Sequence, residues 1–150
     1  MAPAVTTLVR AWIVMLLLFA VGSCRADCID DAANYHRVHP YVLRAIAFQE
    51  SHMKPSVLSH NADGSVDFGM MGINSIHLSE LGRFGVKPHQ LLDPCVNAYV
   101  AAWYLRQKMD KYGNTWRAVA AYHSETPATG ENYAARIKKI LSSWGVGGVN

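Results

Sequence analysis

His39-Pro40-Tyr41-Val42-Leu43-Arg44-Ala45-Ile46-Ala47-Phe48-Gln49-Glu50-Ser51 carries the spacing of a helix. Pro40 stands at a first-turn position, where its missing N–H deprives the helix of nothing. Val42, Leu43, Ile46 and Ala47 then return at the helical period, and Pro55 stops the run. Glu50 follows Ile46 by four residues and Leu43 by seven, so it projects from the apolar stripe and not from the polar face. A carboxylate there loses solvation, which disfavours its charged form and raises its pKa. A glutamate held protonated near neutral pH can act as a general acid. The plainer alternative is a helix-end glutamate that swings into solvent or pairs with Arg44 or Lys54. Helical phase alone leaves both open.

Outward from this segment the pattern stays mostly helical. Residues 29–37 read as a short helix. Residues 59–67 carry turn chemistry, with Asn61 and Asp63-Gly64 as bend residues, and allow a small β-hairpin. Asp63 and Asp67 are read as turn-forming in that setting, with a second carboxylate near a cleft as the alternative. A brief helix is expected over 75–81. Asp93-Pro94 is an N-cap followed by a first-turn proline, opening a long helix to Tyr112 with Val96, Tyr99, Val100 and Trp103 as its stripe. Asn114 is expected to cap a helix bearing Trp116, Val119 and Ala120. A last helix over 131–142 carries Tyr133, Ile137, Ile140 and Leu141, and the Gly-rich end at 145–150 is expected to be loose. The fold class is therefore all-α, or α-dominated α+β, in a single domain.

Charge excludes more than it assigns. The net charge is +3, with Lys and Arg scattered, and no basic stripe alternates with aromatics as a nucleic-acid groove requires. Phosphate-loop and nucleophile-elbow patterns are absent from the sequence. His36 and His39 have metal-like spacing, but no dedicated third ligand follows, so neither a metal nor a cofactor is expected.

At the N-terminus, Arg10 precedes the apolar run AWIVMLLLFAV (residues 11–21). That run makes about 16 Å of helix, short of a hydrocarbon core of about 30 Å. Gly22, Ser23, Cys24 and Ala26 supply small residues after it, so residues 1–26 read as a signal peptide and 27–150 as the exported domain, periplasmic or secreted. Val21-Gly22-Ser23-Cys24 loosely resembles a lipobox, which keeps a lipoprotein anchored at Cys24 as the other form. Removal of residues 1–26 leaves Cys28 and Cys95, an even pair expected to form a disulfide in an oxidising compartment. Two unrelated buried thiols are the alternative.

Four separated pieces then change the weight given to Glu50. They are Ala45-Ile46-Ala47-Phe48-Gln49-Glu50-Ser51, Asp67-Phe68-Gly69-Met70-Met71-Gly72-Ile73-Asn74, Ala121-Tyr122-His123-Ser124, and Tyr133. In order and spacing they resemble the catalytic domain shared by soluble lytic transglycosylases and goose-type lysozymes, over nearly all of residues 28–141. The counterparts there are a helix ending in Glu-Ser, a Gly-Leu-Met-Gln-Ile-Asn loop, an Ala-Tyr-Asn motif and a late tyrosine. The short form, with an export signal and its two cysteines, looks like the small members attached to type III secretion, conjugation and type IV pilus systems. Two positions depart from the family pattern: Gly72 replaces its glutamine and His123 its asparagine.

The resemblance implies a lysozyme-like helical fold and a peptidoglycan substrate, with Glu50 as the single catalytic acid/base. Ser51, Gly69, Met71, Gly72, Asn74, Tyr122, His123 and Tyr133 are implied as substrate-binding. Protonated Glu50 would donate to the oxygen between N-acetylmuramic acid and N-acetylglucosamine. The 2-acetamido group would support the anomeric carbon, and the muramyl 6-hydroxyl would close on it to give a 1,6-anhydro sugar. From the residues themselves, Ser51 also reads as a backbone cap, Met71 as plain core, and Tyr122 and Tyr133 as core aromatics with satisfied hydroxyls. A hydrolytic muramidase and a non-catalytic glycan-binding scaffold of such an apparatus are the rival readings. Glycan strands, and components of a secretion or pilus assembly, are the expected partners; the domain is expected to be a monomer.

Overall fold

The computed structural model describes residues 27–148, so the signal-peptide reading of 1–26 and the lipobox at Cys24 lie outside the described residues. Helix α1 (Cys28–His36) is started by Asp27, whose carboxylate accepts the N–H of Ile29. Helix α2 (Pro40–Ser51) begins on its proline as the sequence predicts. It ends before Pro55 is reached, because His52 turns left-handed at φ 54° and sends its N–H back to the carbonyls of Ala47 and Phe48. Its apolar stripe is fully committed: Val42, Leu43, Ala45, Ile46 and Ala47 are all buried.

Residues 59–67 do form a hairpin, and a third strand extends it. Strands β1 (Leu58–His60), β2 (Val66–Phe68) and β3 (Ile73–Asn74) make an antiparallel sheet in that order, with Ser59 opposite Asp67 and Asp67 opposite Asn74. Asp63 serves the turn as expected, accepting both the N–H and the hydroxyl of Ser65. Asp67 does not: it lies within β2 and belongs to the site described below.

A 3₁₀ turn (Ser75–His77) leads into helix α3 (Leu78–Arg83), and a second 3₁₀ turn (Pro88–Leu92) precedes helix α4 (Pro94–Tyr112). Asp93 caps α4, accepting the N–H groups of Cys95 and Val96. The buried face of α4 is wider than the predicted stripe, of which Val100 is buried and Val96 and Trp103 pack partly buried against the core. It consists of Asn97, Ala98, Val100, Ala101, Ala102, Tyr104, Leu105 and Met109, while Tyr99 is 37% exposed. Small residues win this face because helices pack against α4 on more than one side, and alanines permit the close approach.

Helix α5 (Trp116–His123) takes Thr115 as its N-cap in place of the predicted Asn114. Helix α6 (Pro127–Ser143) starts earlier than predicted, because Thr126-Pro127 repeats the cap-plus-proline start of Asp93-Pro94. Helix α4 packs on α1 and α5, and α6 packs on α5 and α2, so Tyr133, Ile137 and Leu141 meet the stripe of α2 in one core. Cys28 and Cys95 are joined in a disulfide that ties α1 to the first turn of α4. Among the described residues no helix is long and apolar enough to cross a membrane.

Candidate active site

Glu50 sits in the last turn of α2, partly buried, where the helix meets the strand-edge loop 69–72. Tyr133, 1% exposed on α6, donates its hydroxyl to Glu50 Oε1 at 2.7 Å. Burial raises the Glu50 pKa above the ordinary carboxylate value; the Tyr133 hydrogen bond opposes that, the charge of Asp67 adds to it, and Arg136 opposes it. The outward-swinging alternative, with Arg44 or Lys54 as partner, does not occur: Arg44 pairs instead with Asp27 and Asp30.

Around Glu50 opens a cavity of about 410 Å³. Asp67, Gly72, Asn74, Tyr122 and His123 line it with Glu50. Gly72 adopts φ +61°, and a Cβ there would stand 3.1 Å from Glu50 Oε2, so any side chain at this position presses on the carboxylate. Asn74 gives its amide to Asp67 Oδ1 at 2.7 Å and to Ser65 Oγ at 3.0 Å. Tyr122 donates its hydroxyl to Met71 O at 3.1 Å. The His123 ring lies over that of Tyr133, centroids 4.6 Å apart and 5° from parallel. Burial, and then the positive charge of Arg136, push the His123 pKa down, which favours the neutral ring.

Three residues implied as substrate-binding have their contacts in the loop and the core. The Ser51 hydroxyl is buried and donates to Met70 O at 2.9 Å, pinning the loop to α2 and leaving Glu50 untouched. Met71 is wholly buried, with only its backbone turned to neighbours of the site. Gly69 is also buried, at φ +71°, and a Cβ there would collide with Leu91 O and the Asn97 side chain. All three shape the loop; none of them lines the cavity.

Asn97 is a residue of consequence that the sequence reading misses, and Asp67 is one that it assigns to a turn. Asn97 on α4 is fully buried and holds the loop from below: its Oδ1 accepts Met71 N–H at 2.7 Å, and its amide donates to Phe68 O and Leu91 O, each at 2.9 Å. Asp67 faces the cavity with one oxygen held by Asn74 and the other by the amide of Asn61 at 2.9 Å. Its signal was the alternation of Asn61, Asp63, Ser65 and Asp67, which sets polar side chains at every second residue as on one face of a hairpin. Among the described residues no group of three or more His, Cys, Asp or Glu side chains gathers to hold a metal.

The glutamate is thus helix-borne, desolvated and set beside a tyrosine and a glycine-bearing loop, and comparison with known proteins gives the lineage of the chain. The family described as Transglycosylase SLT domain matches residues 27–140. The chain belongs to that family. Relatives of this SLT domain include "Invasion protein IagB" of Salmonella typhimurium, 39% identical over 131 residues, covering 87% of this chain and 82% of the relative. "Protein IpgF" of Shigella flexneri is 36% identical over 116 residues, covering 77% of this chain and 76% of its own. In fold, the SLT domain is similar to a lytic transglycosylase Slt inactive mutant from Pseudomonas aeruginosa, with a TM-score of 0.62 and 18% identity. That alignment covers 83% of this chain and 25% of the larger one. Within the SLT domain, Gly72 and His123 mark the two departures, and both lie against the Glu50–Tyr133 pair.

Proposed function

We propose that the chain is an exported lytic transglycosylase that cleaves the bond between N-acetylmuramic acid and N-acetylglucosamine in peptidoglycan. The observation that carries this reading is Glu50, desolvated, raised in pKa and held by the Tyr133 hydroxyl at the wall of a cavity. Glu50 in its protonated form gives its proton to the glycosidic oxygen as the C1–O bond breaks. The neighbouring acetamido oxygen supports the electron-poor C1 in place of a protein carboxylate. Glu50, now ionised, takes the proton of the muramyl 6-hydroxyl, whose oxygen bonds to C1. Atoms balance without water, and the product ends in a 1,6-anhydro sugar.

In this reading Gly72, Asn74, Tyr122 and His123 face substrate, Tyr133 holds the carboxylate, and Ser51, Gly69 and Met71 set the loop. Export follows from residues 1–26, acting as a signal peptide, and from a substrate that lies outside the cytoplasm. The names of the invasion-protein relatives, with the short form of the chain, support local opening of the wall for a secretion, conjugation or pilus apparatus.

One observation favours a second reading. Asp67 lines the same cavity as Glu50, its oxygens oriented by two asparagine amides. A second carboxylate across a cleft is what a hydrolytic muramidase uses to stabilise C1 or to activate water. The first test is digestion of purified sacculi by the full exported chain and by Glu50→Gln. Release of muropeptides by the wild type alone supports either enzyme reading; equal release by both would remove Glu50 from the chemistry. A well-folded wild type that binds strands and releases nothing would leave the scaffold.

A further inference from the structure

A second cavity, of about 330 Å³, lies between α5 and α6, within the size range of a ligand site. Its floor is made of small residues, among them Ala120, Ala121, Gly130 and Ala134. Gly130 is required where it stands, since a Cβ there would lie 2.5 Å from Ser124 O. Ala121, Ser124 and Glu125 line both this cavity and the one around Glu50, so the two hollows meet along the end of α5 and the turn after it.

Its walls carry two cations that are not matched by carboxylates of their own. The Arg117 guanidinium rests 4.8 Å from the Tyr112 ring centroid, and the Lys138 ammonium 4.8 Å from that of Trp116. Among the described residues neither forms an ion pair. Glu125, at the junction, is already taken by Lys108 at 2.6 Å, Lys111 at 2.8 Å and the Tyr112 hydroxyl at 3.0 Å. Glu131 is the other lining carboxylate, and it stands exposed. With Glu125 held by two lysines, Arg117 and Lys138 face one exposed carboxylate over a floor of small residues. The aromatic faces that would stack on a sugar are covered by the two cations, so a continuation of the glycan is disfavoured here.

We propose that this cavity takes the stem peptide of the peptidoglycan strand, a short alanine-containing peptide that carries several carboxylates. With a muramyl unit beside Glu50, the stem crosses the Ser124–Glu125 ridge, sets an alanyl methyl on the floor and brings carboxylates to Arg117 and Lys138. This rests on the function proposed above, since it needs a muramyl sugar at Glu50.

The test uses the full exported chain and its Arg117→Gln/Lys138→Gln double variant, on intact sacculi and on glycan strands stripped of their stems by an amidase. Loss of a charge-assisted hydrogen bond weakens binding roughly tenfold or more. The KM for sacculi therefore rises by at least that factor in the double variant, while the two proteins turn over stripped strands alike. An equal loss on stripped strands, or no loss on sacculi, overturns the assignment. Independently of turnover, the tripeptide L-Ala-γ-D-Glu-diaminopimelate is titrated into labelled protein. Amide shifts confined to 112–138, at least tenfold weaker in the variant, support the site. No shift there in the wild type, or equal affinity for an acidic all-L tripeptide, overturns it. A wild type that cleaves neither substrate yet binds the tripeptide this way would count against the catalytic reading and not against the cavity.

Discussion

Glu50 is tuned by neighbours that pull in opposite directions, and that makes its environment open to test one residue at a time. The Tyr133 hydrogen bond lowers its pKa and the Asp67 charge raises it, both against the dominant upward push of burial. As a general acid Glu50 works while protonated, so the rate falls on the alkaline side as it ionises. Tyr133→Phe is expected to move that limb of the kcat/KM profile to higher pH, and Asp67→Asn to lower pH. If Asp67→Asn abolishes turnover at every pH, Asp67 takes part in the reaction itself, and the hydrolytic reading gains. Stability offers a second handle. A raised pKa means the folded chain holds this proton more tightly than the unfolded chain does. That contribution is complete below the unfolded value and is lost as pH rises through the folded one. Glu50→Gln cannot lose a proton, so by thermal melting it should match the wild type near pH 4 and exceed its Tm at about pH 8.

At the scale of elements, the loop 69–72 is the part on which the site depends, and Asn97 is its anchor. Asn97→Ala leaves Met71 N–H and the carbonyls of Phe68 and Leu91 without this partner, and burial makes that costly. A loss of about 3 kcal/mol in urea unfolding is expected, together with a drop in turnover. Gly69→Ala should cost at least as much, since its φ of +71° and its collision with Leu91 O act together. Helix periodicity and proline-led starts made α2 and α4 legible almost to the residue. What stayed hidden has a common cause. Asn97 ties the backbone at Met71 and Phe68, 26 and 29 residues away, to that at Leu91, which no local pattern encodes. The predicted stripe of α4 holds at Val96, Val100 and Trp103 and fails at Tyr99, because packing on several sides also buries alanines that hydrophobicity ranks low. Asp67 was assigned to a turn because acidic residues next to glycine and asparagine ordinarily serve one; its strand became evident only with Asn74 opposite it. Ser51 and Met71 each carried two sequence readings, substrate contact or backbone and core, and their contacts in the structure are those of the second.

Across the whole molecule, the disulfide and the helix packing hold two sides of one cleft. Cys28 and Cys95, separated by 67 residues, tie the start of the described chain to α4, which carries Asn97 and, through it, the loop below Glu50. Loop entropy gives such a bridge about 4 kcal/mol of stabilisation. Cys28→Ser/Cys95→Ser is expected to lose about that much in urea unfolding while retaining Glu50-dependent turnover at low temperature. The central claim is that this framework presents one proton-carrying glutamate to a muramyl sugar and that no water enters the product. It is tested most directly by digesting sacculi with the full exported chain in water labelled with heavy oxygen and weighing the muropeptides. The account predicts muramyl ends one water lighter than reducing ends and free of label; labelled reducing ends would contradict it.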